Sequence, residues 1–115
     1  MVLNFDEYQD KVLAMAVYQN IGSNLIYPAL GLAGESGEYV DKVKKNWRNK
    51  GSMSAANLTP EERKEFIKEL GDVLWYVAAS ARELGEDLSE VAVQNIAKLS
   101  DRMNRGVLKS EGDNR

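Results

Sequence analysis

The chain has 115 residues, a formal net charge of −3 at neutral pH, and neither cysteine nor histidine. This length suits a single domain with a real hydrophobic core. The missing residue types exclude disulfides, thiolate nucleophiles, imidazole bases and zinc-thiolate sites, so catalysis would have to use carboxylates, lysines, hydroxyls or a bound metal.

The negative charge disfavours nucleic acid as a partner. An acidic N-terminus and the absence of a long apolar run predict a cytoplasmic protein that contacts no membrane.

Apolar residues recur at helical spacing in four segments, which predicts an all-α fold resembling a four-helix bundle. The first helix is expected to start at an Asn4 N-cap and to end within residues 20–23. The second is expected to start at Pro28, because proline is favourable in a first turn, and to run through Trp47.

The third helix has the clearest start signal. Thr59 is a cap, Pro60 suits the first helical position, and Glu62 occupies the reciprocal capping position. The helix is expected to run to about Leu84. Over residues 73–81 it reads VLWYVAASA, which is apolar nearly all the way round and needs partners on more than one side. We therefore expect a homodimer or homotetramer.

The fourth helix is expected to open at Asp87 or Ser89 and to close at Gly106. Residues 1–106 then form one domain. Residues 107–115 are predicted to be a loosely ordered polar tail.

Two acidic pairs lie on consecutive predicted helices, Glu35 with Glu38 and Glu69 with Asp72. Each pair has i, i+3 spacing, so its members share one helical face, and a helical wheel places both pairs at the border of the apolar face. If the helices face each other, the four carboxylates converge at the edge of the core. Because like charges resist joint burial, a bound cation is the simplest resolution.

The chemistry of these ligands indicates the metal. Oxygen donors without histidine or cysteine favour magnesium (Mg²⁺), manganese or calcium over zinc, and magnesium commonly works together with substrate phosphates. Each pair also encloses a glycine, Gly37 or Gly71. Glycine is unfavourable inside a helix by roughly 1 kcal/mol relative to alanine, so these two glycines predict a close approach between helices.

Basic and amide side chains accompany the acidic pairs. Lys42 and Lys45 continue the Glu35 stripe, while Asn95, Lys98 and Arg102 form a polar stripe on the fourth helix. Together they are suited to holding a polyphosphate. The alternative for the acidic and basic residues alike is a solvated helix surface with weak ion pairs.

Three strings extend the pattern: GLAGESGEYVDKVKK, KELGDVLWYVA and NIAKLSDRMNRG. They resemble the MazG-type, all-alpha nucleoside triphosphate pyrophosphohydrolase family, which has E-x-x-E on one helix, E-x-x-D on the next, and a closing N-x-x-K-x-x-x-R segment. The resemblance covers about residues 8–106. It implies that this chain hydrolyses a nucleoside triphosphate to a monophosphate and pyrophosphate.

The resemblance also implies roles for individual residues. The implied magnesium ligands are Glu35, Glu38, Glu69 and Asp72. The implied phosphate contacts are Lys42, Lys45, Lys98 and Arg102, with Asn95 nearby. Among the carboxylates, Glu35 and Glu38 are the expected catalytic residues, and we expect Glu38 to accept the proton of the attacking water.

One position departs from the family pattern. Many members have two adjacent glutamates at the start of the first motif, whereas Gly34 precedes Glu35 here. Glu65, one turn before Glu69, is a candidate substitute for the missing carboxylate.

The alternative function is a non-catalytic helical oligomer or partner-binding bundle. A carboxylate-bridged di-iron bundle is disfavoured because such sites typically use histidine. No aromatic side chain is assigned to base recognition, since aromatic residues in small helical domains are more often core. Helix one and the Ile21–Tyr27 loop are expected to shape base selection, with a neighbouring subunit as a further candidate contributor.

Overall fold

The computed structural model describes residues 1–106 and 111–113, and these residues are all-helical. Four α-helices follow one another, with a 3-10 turn over Ala55–Asn57 between the second and third: α1 Phe5–Met15, α2 Ile26–Lys50, α3 Pro60–Glu83 and α4 Leu88–Asn104. No strand occurs in the described residues, so the prediction of an all-α fold with four helices is confirmed. Within that part of the chain, none of the helices combines the length and apolar character that crossing a membrane requires.

Hydrogen bonds confirm the predicted starts of α1 and α3. Asn4 Oδ1 accepts a hydrogen bond from the backbone N–H of Glu7 at 2.8 Å. Thr59 Oγ1 accepts from the N–H of Glu62 at 3.1 Å, and Glu62 Oε1 accepts from the N–H of Thr59 at 2.9 Å. This reciprocal pair is a capping box. Gly85, with a φ of +75°, ends α3 in the left-handed conformation that glycine tolerates.

The end of α1 differs from the prediction. The helix ends at Met15 and not within residues 20–23. The loop that follows is held by a distant carboxylate, because Glu83 Oε1 accepts hydrogen bonds from Tyr18 Oη and from the backbone N–H of Gly22, both at 2.8 Å. These bonds from α3 stabilise a loop where local spacing predicts helix.

The start of α2 also differs slightly. The helix begins at Ile26, before the predicted Pro28. Asn24 Oδ1 accepts a hydrogen bond from the N–H of Tyr27 at 3.0 Å, which satisfies one of the unpaired donors of the first turn. Pro28 fits there because an N–H in the first turn has no helical partner to lose.

The chain beyond α4 is described only in part. The helix begins directly after Asp87, one of the two predicted openings, and Arg105 is its C-cap. Residues 107–110 and 114–115 lie outside the described residues. The expected loose order of the tail therefore stays a prediction.

Helices α2 and α3 run antiparallel. Residue numbers along α2 increase as those of their partners on α3 decrease, in the contacts of Gly31 with Tyr76, Tyr39 with Phe66, and Lys50 with Glu62. Helices α1 and α4 both pack on α3. The core between them contains the buried side chains of Val12, Ala78 and Leu88.

Gly31 makes the close contact between α2 and α3. A Cβ atom on Gly31 would lie 2.2 Å from the ring of Tyr76, which is closer than real Cβ atoms come, so this position needs glycine. A Cβ on Gly37 or Gly71 would meet no described atom within 4 Å. The prediction that Gly37 and Gly71 mark a close helix approach is therefore wrong within the chain.

Gln9 is the buried polar residue that joins three helices, with only 1% of its surface exposed. Its Nε2 donates to the carbonyl oxygens of Ala78 at 3.2 Å and Glu86 at 3.1 Å, and its Oε1 accepts from the N–H of Leu88 at 3.0 Å. One amide therefore ties α1 to α3, to the turn after α3, and to the start of α4.

Replacing Gln9 with methionine keeps the length of the side chain and removes its hydrogen bonds. The backbone groups of Ala78, Glu86 and Leu88 then lose their partner, and we expect the free energy of unfolding to fall by about 3 kcal/mol or more. Urea denaturation measures this loss. The matched control is Gln19→Met at an exposed position, where the expected change is below about 0.5 kcal/mol. Equal losses in the two variants would contradict the role given to Gln9.

Candidate metal centre

The antiparallel packing of α2 and α3 brings three of the four predicted carboxylates together. One carboxylate oxygen from each of Glu35, Glu69 and Asp72 lies within 4.8 Å of the other two. Glu69 and Asp72 have i, i+3 spacing on α3, so their two carboxylates lie on the same face of that helix. Helix α2 supplies the carboxylate of Glu35 opposite them. Glu35 and Glu69 are partly buried and Asp72 is exposed. The cluster therefore opens to solvent on one side.

Glu38 lies outside this cluster. Its side chain is exposed, although its charge still acts on Glu35. The structure thus places Glu38 on the solvent-exposed side of α2, about one turn beyond Glu35.

The raised pKa of Glu35 reflects the burial of its carboxyl group and the negative charges around it. Burial raises this pKa above its usual value, and the charges of Asp72, Glu69 and Glu38 raise it further. Lys42 provides partial compensation, with its Nζ 3.7 Å from Glu69 Oε1. One lysine against four carboxylates leaves an excess of negative charge at the α2–α3 edge.

This donor set fits a hard divalent cation. Three carboxylate oxygens close together provide the ligand type that magnesium, manganese and calcium prefer, and the chain has no histidine or cysteine to favour a softer metal. A cation would also remove the repulsion that raises the pKa of Glu35. The residues present are therefore suited to a metal centre.

An aromatic wall stands beside the carboxylates. A depression of about 260 Å³ is lined by Glu35, Asp72, Trp75 and Tyr76. The rings of Trp75 and Tyr76 meet edge to face with centroids 5.0 Å apart. Sequence reasoning did not assign these two residues to the site. The available signal was spacing, because Tyr76 follows Asp72 by one helical turn and so shares its face.

A stack of tyrosines connects this wall to the loop between α1 and α2. The ring centroid of Tyr27 lies 6.4 Å from that of Tyr76 and 5.0 Å from that of Tyr18. Burial of Tyr18, together with its hydrogen bond to Glu83 and the charge of that carboxylate, raises the pKa of Tyr18 to about 12. Burial alone would raise the pKa of Glu83, but hydrogen bonds from Gly22, Tyr18 and Asn24 lower it. Glu83 therefore stays ionised and anchors this loop.

The remaining predicted basic residues have other partners. Lys45 Nζ lies 2.7 Å from Asp41 Oδ2 on its own helix. On α4, Lys98 Nζ and Arg102 Nη2 lie 3.3 Å and 3.2 Å from Asp113 Oδ1. Arg102 also donates to the carbonyl oxygen of Asp113 at 2.6 Å, and its side chain is only 3% exposed.

Asn95 is exposed on α4. Of the predicted phosphate contacts, the structure brings Lys42 into an ion pair with the carboxylate cluster.

Comparison with known proteins matches residues 27–107 to the family described as the MazG nucleotide pyrophosphohydrolase domain. The chain belongs to the MazG family. It is also 41% identical over 118 residues to the Gene 37 protein of Mycobacterium phage L5, with 98% of this chain and all of that protein covered. No solved structure matches the chain. The MazG match spans the carboxylate cluster and confirms the resemblance noted from the sequence motifs.

In this MazG domain, Glu65 is the candidate substitute for the missing second glutamate of the first motif. It is exposed and lies 3.0 Å from Lys68 on its own helix, and it is not a member of the three-carboxylate cluster. Its hydrogen bond with Lys68 and the charge of that lysine lower its pKa. The substitute role therefore stays a prediction.

Replacing Glu35 with glutamine is expected to stabilise the metal-free MazG domain at neutral pH. Because the pKa of Glu35 lies above its usual value of 4.5 when folded, the folded state retains this proton longer than the unfolded state does. Stability is therefore lost as pH rises from 4.5 through the raised pKa, and glutamine removes that loss. The measurement is the melting temperature over a pH series in excess chelator.

The control for this experiment is Glu65→Gln. It is the same chemical change, made at a carboxyl group whose pKa is shifted in the opposite direction. The pKa of Glu65 is lowered, so its ion pair contributes stability above 4.5 that is lost as pH falls through the lowered pKa. Glu65→Gln should leave stability at neutral pH unchanged or slightly reduced. A lower melting temperature for metal-free Glu35→Gln at neutral pH would count against the repulsive cluster.

Proposed function

We propose that this MazG protein hydrolyses nucleoside or deoxynucleoside triphosphates to a monophosphate and pyrophosphate, with magnesium as cofactor and manganese as a possible replacement. The observation that supports the proposal is the cluster of Glu35, Glu69 and Asp72 at the α2–α3 edge, inside the segment that matches the family. The family suggests nucleotide pyrophosphohydrolase activity, and the cluster supplies metal-binding chemistry at a suitable place.

In this proposal, Glu35, Glu38, Glu69 and Asp72 hold the metal. When bound there, magnesium would supply Lewis acidity to the phosphate oxygens and lower the pKa of water. The exposure of Glu38 leaves its carboxylate accessible from solvent, where substrate and water enter.

The proposed proton acceptor is the carboxylate of Glu38, with Glu35 beside it. Water attacks a phosphorus of the bond between the α- and β-phosphates, the bridging P–O bond breaks, and the proton of the water passes to Glu38. Attack at either phosphorus gives the same two products. Lys42, next to Glu69, is placed to offset phosphate charge.

The other proposed phosphate contacts are Lys45, Asn95, Lys98 and Arg102. Arg102 and Lys98 hold Asp113 in the structure, and a phosphate would have to replace that carboxylate to use them. The guanidinium of Arg102 is suited to this exchange, because its planar set of donors matches carboxylate and phosphate alike.

We also propose a homodimer or homotetramer in the cytoplasm, without nucleic acid or membrane partners. Large apolar side chains remain exposed on the outer faces of α2 and α3, with Ile26 72% exposed, Leu30 68% and Leu70 48%. Faces of this kind commonly become covered by association. The net charge of −3 gives no general attraction for nucleic acid or anionic lipid.

The identity of the products tests the reaction class. We expect incubation with magnesium and a panel of canonical and modified nucleoside triphosphates to release monophosphate and pyrophosphate in equal amounts, resolved by anion-exchange chromatography. Omitting the metal, or adding excess chelator, should abolish release. Diphosphate and orthophosphate as products would contradict the proposal.

Asp72→Asn tests the site, because it removes one charged ligand at nearly constant shape. We expect kcat/KM to fall by roughly 100-fold, equivalent to about 2.7 kcal/mol of transition-state stabilisation. Magnesium should raise the melting temperature of the wild-type protein and leave that of the variant nearly unchanged. The control is Glu61→Gln, at an exposed position on the same helix, for which both readouts should remain at wild-type values.

The rival function is a non-catalytic oligomer or partner-binding bundle. It predicts a flat melting temperature for the wild-type protein over a joint titration with magnesium and nucleotide, and no difference between Asp72→Asn and Glu61→Gln.

A further inference from the structure

Two cations of α4 converge on one carboxylate that follows the helix. Lys98 and Arg102 have i, i+4 spacing, so their side chains lie on the same face of α4. Lys98 Nζ lies 3.3 Å and Arg102 Nη2 lies 3.2 Å from the same oxygen, Asp113 Oδ1. Arg102 Nη2 also donates to the backbone carbonyl oxygen of Asp113 at 2.6 Å. Asp113 thus occupies the place at which these two cations can share an anion.

Arg102 needs an anion at this place. Its side chain is only 3% exposed, and a buried guanidinium that loses its partner is strongly destabilising. Asp113 is the carboxylate that pairs with Arg102 among the described residues. If Asp113 leaves, another anion has to take its position.

Asp113 is well placed to leave. Its side chain is 81% exposed, in contrast to that of Arg102, and it lies beyond the end of α4. Because Arg102 Nη2 contacts this exposed residue directly, one residue separates the guanidinium from solvent on that side. Ion pairs with so exposed a carboxylate are weak. The contact can therefore be exchanged for one with a ligand while α4 keeps its position.

A phosphate oxygen matches the position of Asp113 Oδ1. Both are anionic oxygens, and guanidinium and ammonium groups bind carboxylates and phosphates alike. Hydrogen bonds from Arg102 and Lys98 lower the pKa of Asp113, so its carboxylate is ionised at neutral pH and repels a phosphate. The carboxylate and a phosphate therefore exclude each other from this place.

We propose that Asp113 is an internal competitor of the substrate, which occupies the Lys98–Arg102 pair until the polyphosphate of a nucleotide displaces it. The inference rests on the proposed function, in which these two cations contact phosphates. An anion on the same chain competes at an effective concentration that is typically of millimolar order. It therefore lowers the apparent affinity for every ligand that needs this cation pair, and the chain carries its own inhibitor of substrate binding.

Asp113→Asn tests the competition, because it removes the charge and keeps the shape of the side chain and the backbone carbonyl. Calorimetry in excess magnesium measures the binding of inorganic tripolyphosphate, which needs no recognition of a base. We expect the variant to bind tripolyphosphate about threefold more tightly than the wild type, or better. With a triphosphate that is hydrolysed, KM should fall by a similar factor while kcat stays nearly unchanged.

The matched control is Glu111→Gln, which removes the same charge two residues away. Glu111 is exposed, and among the described residues it forms no ion pair with Lys98 or Arg102. This variant should bind tripolyphosphate as the wild type does. Equal tightening in the two variants would overturn the proposal, because net charge alone would then explain it. Unchanged or weaker binding in Asp113→Asn would also overturn it, since Asp113 would then have only a structural role.

Lys98→Met tests whether the competition takes place at the cation pair. Lys98 is 40% exposed, so its loss leaves the core intact. Tripolyphosphate should bind more weakly to this variant, and Asp113→Asn should tighten binding less in this background than in the wild type, because one contested cation is missing. An equal gain in both backgrounds would overturn the shared site.

The same measurements separate this inference from the proposed function. If Asp113→Asn tightens tripolyphosphate binding but no triphosphate is hydrolysed, the proposed function fails and the internal competitor stands. If triphosphates are hydrolysed but Asp113→Asn changes neither tripolyphosphate binding nor KM, the proposed function stands and the internal competitor is overturned.

Discussion

Repulsion among the carboxylates of Glu35, Glu69 and Asp72 is the constraint on which the rest of the structure depends. Helices with facing acidic groups separate unless other contacts hold them together. Here the apolar contacts along α2 and α3 supply that force on both sides of the cluster. Tyr76 packs against Gly31 on one side, and Phe66 packs against Tyr39 on the other. The cluster is therefore held in place by the packing around it, with a cation as the natural source of the missing positive charge.

The other helices act by fixing α3. Gln9 satisfies backbone groups at the end of α3 and the start of α4, so α1 and α4 cannot move independently of it. Glu83 holds the loop between α1 and α2 through bonds to Tyr18 and Gly22. That loop leads into Tyr27, whose ring stands next to Tyr76. Structural polar contacts at one end of α3 are thus connected to the aromatic wall of the site.

Features that depend on neighbouring residues along the chain could be predicted from the sequence. The Thr59 capping box and the shared face of Glu69 and Asp72 follow from spacing within one or two turns. Features that depend on distant partners could not. The loop after Met15 is set by Glu83, far along the chain. The glycine in the tight contact is Gly31, because only the assembled helices show which glycine faces an aromatic ring. For the same reason, spacing alone did not reveal that Arg102 holds Asp113.

The contact between Gly31 and Tyr76 has a consequence for ion selectivity. Gly31 lies one turn before Glu35 on α2, and Tyr76 lies one turn after Asp72 on α3, so the ring acts as a spacer next to the carboxylates. Magnesium and calcium differ in radius, and a site distinguishes them through the size and rigidity of its cavity. In the proposed centre, the packing of the Tyr76 ring on Gly31 thus sets the gap between the two walls. Discrimination by ionic radius then depends on the thickness of a phenol ring.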